Sequence, residues 1–199
     1  DALITARNRY PYFGGTSELW ELIAWMQAHN QNAEAANRVS LRGFDMQYGD
    51  LLVEDIIAYV QTTDPGSLDV VQNDLSCFLT HVKNYSANPG VDRYSQARPE
   101  IQAECQQGLQ AVSDLFLHNQ AVYETASSPT EFSEAFAKIG LLIQNEQLMA
   151  IADIPSSINL RDQYMAENAA WLLEQAGPDA RMVIWAHNGH VTDGRGHWT

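Results

Sequence analysis

The sequence predicts an α/β protein: a fragment of a parallel-sheet core that carries a large all-helical insertion and is truncated at both ends. Two apolar runs of strand length, "RVSLRGFD" (38–45) and "RMVIWAHN" (181–188), support the sheet. The second run is apolar throughout its middle, as parallel strands covered on both faces tend to be. Residues 65–152 support the insertion, because they show helical periodicity and no strand-like segment.

The first part of the chain reads as helix, strand and helix. A helix is predicted over 16–30, where Leu19, Leu22, Trp25 and Met26 share one arc. The strand 38–45 follows, and a helix over 50–61 comes closely after it, as in βα units.

Helices then follow one another until the last strand. They are predicted over 67–85, 98–124, 128–152 and 159–177. Ser128, Pro129 and Glu131 have the spacing of a capping box with proline at the first helical position. Gly177 before Pro178 is a stop signal that ends the last helix ahead of the strand 181–188.

The domain organisation follows from this order of elements. Residues 1–64 are the first part of the α/β core, 65–152 the helical insertion, and 153–199 the second part of the core. Two strands alone make only a marginal sheet. We therefore expect the sequence to be a piece of a longer protein.

Composition limits the classes of function. A formal net charge of -14, with only two lysines, argues against a nucleic-acid partner, since phosphate binding needs clustered basic side chains. No apolar run approaches the ~20 residues of a membrane span, so no membrane partner is expected. Cys77 and Cys105 lack the spacing of a disulfide framework, and we interpret them as buried thiols in a cytoplasmic protein.

Two histidines lie where the last strand is predicted to end. His187 and His190 flank Asn188-Gly189, and ligands of open α/β sheets bind beyond the carboxyl ends of strands. One interpretation is a catalytic loop in which histidine performs acid–base chemistry. The other is a hairpin turn with two solvated histidines. His187, His190 and His197 could also hold a divalent metal, but no H-E-x-x-H motif occurs, so no metal or other cofactor is predicted.

Acidic side chains fall on the apolar arcs of two helices. Glu18 lies within the arc of the helix 16–30, and Asp162 lies within that of the helix 159–177. Either acid could face a polar cavity, or could simply favour the dipole of a first helical turn. Arg161 could pair with a carboxylate, Asp162 being the candidate, or support an oxyanion. Arg42 and Asp45, at the end of the first strand, fit an exit turn with an ion pair as well as a site.

The segments "LRGFDMQ", "RDQYMAENAAWL" and "VIWAHNGHV" together resemble the erythromycin esterase family, which includes macrolide-inactivating esterases and succinoglycan-biosynthesis proteins. The resemblance implies that His187 and His190 are active-site histidines and that Arg161, Asp162 and Glu18 are family positions. It also implies a general base in an upstream G-E-x-x-H segment that this sequence lacks. The resemblance therefore suggests an internal piece that is inactive alone.

The expected function is hydrolysis of a small-molecule ester or macrocyclic lactone by histidine-assisted attack of water. No G-x-S-x-G nucleophile elbow and no phosphate-binding loop occurs. Two alternatives stay open: a non-hydrolytic family member that handles polysaccharide or acyl groups, and a binding module with structural histidines.

Overall fold

A computed structural model describes residues 16–82 and 94–191 of the chain. Its helices, in chain order, are α1 (Ser17–Asn32), α2 (Gly49–Thr63), α3 (Leu68–Cys77), α4 (Pro99–His118), α5 (Gln120–Ala126), α6 (Pro129–Ala150), α7 (Ile154–Ala176) and α8 (Asn188–Val191). Short 3-10 turns lie at Ala35–Asn37, Pro65–Ser67 and Tyr94–Gln96, and a π turn at Phe78–Val82 continues α3.

The chain forms two compact units, residues 1–43 and 44–199. In the first unit, Asn30 fixes the segment after α1, because its side-chain amide exchanges two 2.8 Å hydrogen bonds with the backbone of Val39. The second unit contains α2 to α8. The sequence-based division at residues 64 and 152 stays a prediction.

The predicted parallel-sheet core is wrong for the part of the chain that the structure describes. Residues 16–82 and 94–191 contain helices and connecting segments but no β-strand. Both 38–45 and 181–187 lack regular secondary structure, and Val183 is 94% exposed. A strand exists only through hydrogen bonds to a neighbouring strand, and neither segment has such a neighbour among the described residues. An apolar run of the right length does not create that neighbour.

Helix ends agree with their sequence signals. Ser128 caps α6: its hydroxyl oxygen accepts from the Glu131 backbone N–H at 3.1 Å and lies 2.9 Å from the Glu131 carboxylate, which confirms the predicted start. Helix α7 ends before Gly177, whose φ of 95° suits glycine, and this confirms the predicted stop. The single helix predicted over 98–124 is interrupted at Asn119, which separates α4 from α5.

The main core of the second unit lies among α2, α3, α4 and α6, which pack against one another. Apolar side chains at helical spacing on these elements meet and exclude water, including Ile56, Leu75, Leu109, Phe116 and Ile139. This cluster explains why the sequence from 65 to 152 reads as helix without strand.

A second, smaller cluster supports the candidate site. Met46, Leu148 and Met165 are buried together, with Phe44, Tyr164 and Ala186 packed around them. It joins α6 and α7 to residues on both apolar segments that were predicted to be strands. These segments thus contribute side chains to a helical core instead of pairing in a sheet.

Cys77 and Cys105 form a disulfide that links α3 to α4, with Cα atoms 5.0 Å apart. The interpretation of these residues as thiols is therefore wrong. The two cysteines are 28 residues apart, and their spacing does not predict the pairing. They meet because α3 and α4 pack against each other in antiparallel orientation. No helix within 16–82 or 94–191 has the length and apolar character needed to cross a membrane.

Candidate functional site

His190 and Asp162 form a close pair. His190 lies on the short helix α8, and its Nδ1 is 2.5 Å from Oδ1 of Asp162 on α7. The His190 side chain is 14% exposed and that of Asp162 is 35% exposed. An ionised carboxylate can only accept, so Nδ1 of His190 carries the proton that is donated to it. In the neutral ring, Nε2 of His190 then keeps its lone pair and can accept a proton.

His187 has the opposite arrangement of donor and acceptor. Its Nδ1 accepts a hydrogen bond from the backbone N–H of Gly189 at 3.1 Å. The proton of the neutral ring is therefore on Nε2 of His187, which is a donor. The two histidine ring centroids lie 6.4 Å apart, with the planes inclined by 73°. One turn thus presents a basic nitrogen and a ring N–H donor.

The Asn-Gly hairpin, one of the two interpretations of this turn, does not form. The His190 backbone N–H donates to the His187 carbonyl oxygen at 2.8 Å, and the chain continues as the helical turn Asn188–Val191. Residues three apart on a helical turn lie on the same side. This spacing explains why the two rings are neighbours. His187 is exposed, whereas His190 is only partly exposed.

Arg161 pairs with Asp45 and not with Asp162, so the expected partner of Asp162 is wrong. Its Nε and Nη2 donate to the two carboxylate oxygens of Asp45, at 3.1 and 2.6 Å. The side chains of Arg161 and Asp45 are 20% and 31% exposed. Two parallel hydrogen bonds between guanidinium and carboxylate fix orientation as well as charge. The Arg161 guanidinium is therefore already paired and is not an unpaired cation for binding a substrate anion.

Asp45 belongs to a segment, Phe44-Asp45-Met46, that two helices hold in place. The side-chain amide of Asn168 on α7 donates to the Phe44 carbonyl oxygen at 3.0 Å. That of Asn145 on α6, itself buried, donates to the Met46 carbonyl oxygen at 2.7 Å. Backbone groups on both sides of Asp45 are thus satisfied by side chains, as buried backbone without a sheet requires.

Sequence reasoning selected both members of the His190–Asp162 pair but only Arg161 of the Arg161–Asp45 pair. Arg161, Asp162 and His190 were predicted, whereas Asp45 was left between two interpretations and Asn145 was not considered. The available signal was an aspartate directly after an apolar run and asparagines on helical arcs that are otherwise apolar. Polar side chains at such positions need buried partners.

Glu18 lies in the first unit and is described there. It occupies the first turn of α1, is exposed, and accepts a 3.2 Å hydrogen bond from the Ser17 hydroxyl. An acid at this position stabilises the helix dipole. A catalytic role for Glu18 stays a prediction.

A buried carboxylate lies on α6, next to Asn145 in the sequence. Glu146 is 1% exposed and accepts hydrogen bonds from the Tyr94 hydroxyl at 2.7 Å and from the Gln106 amide at 3.2 Å. Burial, followed by the contact with Glu146, raises the pKa of Tyr94 above its ordinary value. Both donors bind Oε1 of Glu146, and these hydrogen bonds tie the turn at Tyr94 to α4 and α6.

The metal alternative finds no cluster in the described part of the chain. Residues 16–82 and 94–191 include no group of three or more His, Cys, Asp or Glu side chains placed to hold an ion. His197, the third histidine of that alternative, lies outside the described residues. The absence of a cofactor requirement stays a prediction.

Comparison with known proteins agrees with the motifs. The helical arrangement is similar to that in the crystal structure of a succinoglycan biosynthesis protein, with a TM-score of 0.63 and 20% identity. The similarity covers 81% of this chain and 37% of that one, so the chain spans little more than a third of that protein's length. The family model described as erythromycin esterase matches residues 6–199. The chain belongs to the erythromycin esterase family.

Proposed function

We propose that the chain carries part of the active site of a hydrolase that cleaves a small-molecule ester or a macrocyclic lactone. The observation that carries this proposal is the 2.5 Å contact between His190 Nδ1 and Asp162 Oδ1. A carboxylate at Nδ1 fixes the tautomer that leaves Nε2 basic, and it stabilises the imidazolium that forms when Nε2 takes a proton. Membership of the erythromycin esterase family supports the reaction class.

The proposed reaction begins when Nε2 of His190 accepts a proton from water and the water oxygen attacks the ester carbonyl carbon. A tetrahedral intermediate forms, and the carbonyl oxygen takes up negative charge that the Nε2–H of His187 can stabilise. The bond between the carbonyl carbon and the alkoxide oxygen then breaks. His190 returns the proton to that oxygen, which yields a carboxylic acid and an alcohol. A further base in an upstream G-E-x-x-H segment stays a prediction.

The partner that we propose is a neutral or weakly charged small molecule, with a macrolide lactone as the first substrate to test. Arg161, whose guanidinium is held by Asp45, offers no unpaired cation for an acidic substrate. The net charge of -14 disfavours nucleic acid. A cytoplasmic location stays a prediction, and the Cys77–Cys105 disulfide is more typical of an oxidising compartment.

A second candidate is a role on polysaccharide or acyl groups without hydrolysis. It is favoured by one observation, the likeness to a protein described as a succinoglycan biosynthesis protein. At 20% identity that likeness supports the fold and not the activity. The two candidates differ in whether the complete protein releases an acid from an ester.

The test compares the complete natural protein with His190→Ala and Asp162→Asn, each assayed with a macrolide lactone and a simple aryl ester. We expect kcat/KM to fall by about 10²–10⁴-fold in both variants, because proton transfer is lost or misdirected. His118→Ala is the matched control, since His118 is an exposed histidine at the end of α4. Parent-like turnover in both variants would exclude His190 as the acid–base group. A parent protein that cleaves neither substrate would favour the second candidate.

A further inference from the structure

Two neighbouring residues of opposite charge on α7 have different partners. Arg161 binds Asp45 through Nε and Nη2, while Asp162 binds His190. Consecutive residues on a helix point about 100° apart, but an arginine side chain is long and flexible. The Asp162 side chain is 35% exposed. Arg161, one residue away, can therefore compete with His190 for the Asp162 carboxylate.

Without Asp45, its present partner, Arg161 would be favoured over His190 as the partner of Asp162. A guanidinium is always charged and binds a carboxylate through two parallel hydrogen bonds. His190 offers one ring N–H, and it is uncharged in the state that accepts a proton. Asp162 could therefore exchange His190 for Arg161, and the tautomer of His190 would no longer be fixed.

The backbone on both sides of Asp45 is anchored by hydrogen bonds. The carbonyls of Phe44 and Met46, on either side of it, accept hydrogen bonds from Asn168 and Asn145. Met46 is fully buried in the smaller core cluster. Little conformational freedom remains to be lost when the Asp45 carboxylate binds Arg161, which strengthens the pairing.

We propose that Asp45 is a positioning residue that holds the Arg161 guanidinium away from Asp162, so that Asp162 stays bound to His190. Its effect on catalytic rate rests on the proposed function, whereas its effect on the His190 hydrogen bond does not. Asp45 acts through Arg161, and Arg161 acts through Asp162. The Arg161–Asp45 ion pair itself forms no part of the proton-transfer path.

The primary experiment follows the ring N–H proton of His190 by NMR in the complete protein, since a proton on Nδ1 that is bound to carboxylate gives a distinct downfield signal. Asp45→Asn keeps the shape of the side chain and removes its charge, and we expect the signal to be lost. Asp45→Glu should restore it at least in part. Adding Arg161→Ala to Asp45→Asn should bring the signal back, because the competitor is gone.

The matched control is Asp55→Asn, which breaks the Asp55–Lys138 pair, a 2.7 Å contact on α2 and α6. This variant should keep the His190 signal. A signal that survives in Asp45→Asn, or that fails to return in the double variant, would overturn the proposal. Should Asp45→Asn not fold, Arg161→Ala tests the same step with Asp45 in place. This variant removes the competitor for Asp162, so the His190 signal should be kept, and a lost signal would overturn the proposal.

Kinetics give a second readout when the parent is an esterase. We expect kcat of Asp45→Asn to fall by up to about 10²-fold, as for a misplaced catalytic group, and to recover in the double variant. Recovery on deletion of a second residue would not follow from a merely structural role for Asp45. If the parent shows no esterase activity, the proposed function fails while the NMR comparison still decides the role of Asp45.

Discussion

The two histidines of the α8 turn are one residue type with two different hydrogen-bonding states. Asp162 occupies Nδ1 of His190 as an acceptor, whereas the Gly189 N–H occupies Nδ1 of His187 as a donor. The partner of one ring nitrogen decides what the other can do. His190 thus offers a base and His187 offers a hydrogen-bond donor, although both are at similar positions in the sequence motif.

The difference predicts distinct responses to glutamine. The side-chain amide of glutamine can replace the Nε2–H donor of a histidine but has no basic nitrogen. We expect His187→Gln to keep more of kcat than His187→Ala, whose loss of one oxyanion donor should cost about 10²–10³-fold. His190→Gln should be as slow as His190→Ala. Steady-state kinetics on an aryl ester measure all four variants.

An exposed histidine outside the site supplies the control for these variants. His81→Gln, in the π turn after α3, should leave kcat unchanged. Equal rates for His187→Gln and His187→Ala would show that the Nε2–H of His187 does not touch the reacting oxygen. Full activity of His190→Gln would show that another group acts as the general base.

At the level of elements, α3 and α4 approach each other at a glycine. A Cβ added to Gly108 on α4 would lie 2.1 Å from the Asp74 carbonyl oxygen on α3. That distance is far inside van der Waals contact, and the obstacle is backbone, which cannot rotate away. Glycine at this position therefore sets the separation of the two helices.

Gly108→Ala should destabilise the fold by about 1–3 kcal/mol, as overpacking of an interior does. Gly140 is the matched control, because it also lies within a helix, α6, and a Cβ there would meet nothing within 4 Å. Gly140→Ala should stabilise by up to about 1 kcal/mol through helix propensity. Urea unfolding followed by circular dichroism gives both values. A neutral Gly108→Ala would mean that the helices can separate without cost.

The Cys77–Cys105 disulfide joins the same two helices and should add to their stability. Closing a loop of this length in the unfolded chain typically stabilises a fold by about 2–4 kcal/mol. We expect a reductant to lower the urea midpoint of the native protein, and Cys77→Ser with Cys105→Ser to lower it equally while removing the reductant effect. Two titratable thiols in unreduced native protein would contradict the pairing.

At the level of the whole molecule, local signals in the sequence predicted the helices but not their partners. The cap at Ser128 and the stop at Gly177 depend on residues a few positions apart, and both were confirmed. The sheet depended on apolar runs that were assumed to pair, and neither has a strand neighbour among the described residues. Strand formation is set by long-range contacts, whereas a helix satisfies its own backbone.

The same limit applied to the candidate site. Motif spacing selected His187 and His190, and helical arcs selected Asp162, which the structure places against His190. Asp45 and Arg161 are 116 residues apart, so no local pattern could identify them as partners. Catalytic roles for these residues, and for Glu18, are predictions that the variants described above will test.

The distribution of buried residues predicts that residues 44–199 fold without residues 1–43. Every member of the two core clusters, from Phe44 to Ala186, lies in the second unit, and so does the disulfide. Among the described residues of the first unit, Leu19 is the only one that is buried. Hydrophobic burial provides most of the favourable free energy of folding, so most of it should survive removal of the first unit.

Residues 44–199 should therefore be strongly helical by circular dichroism and should unfold in urea in one cooperative transition. Phe116→Ala should lower the free energy of unfolding by about 3–5 kcal/mol. Phe116 is the probe because it is fully buried and contacts Tyr59, Tyr123 and Phe132. Leu117→Ala is the control, since Leu117 is the next residue on the same helix and is 52% exposed. A gradual unfolding transition that is the same with and without Phe116→Ala would show that the packed core of the second unit requires residues 1–43.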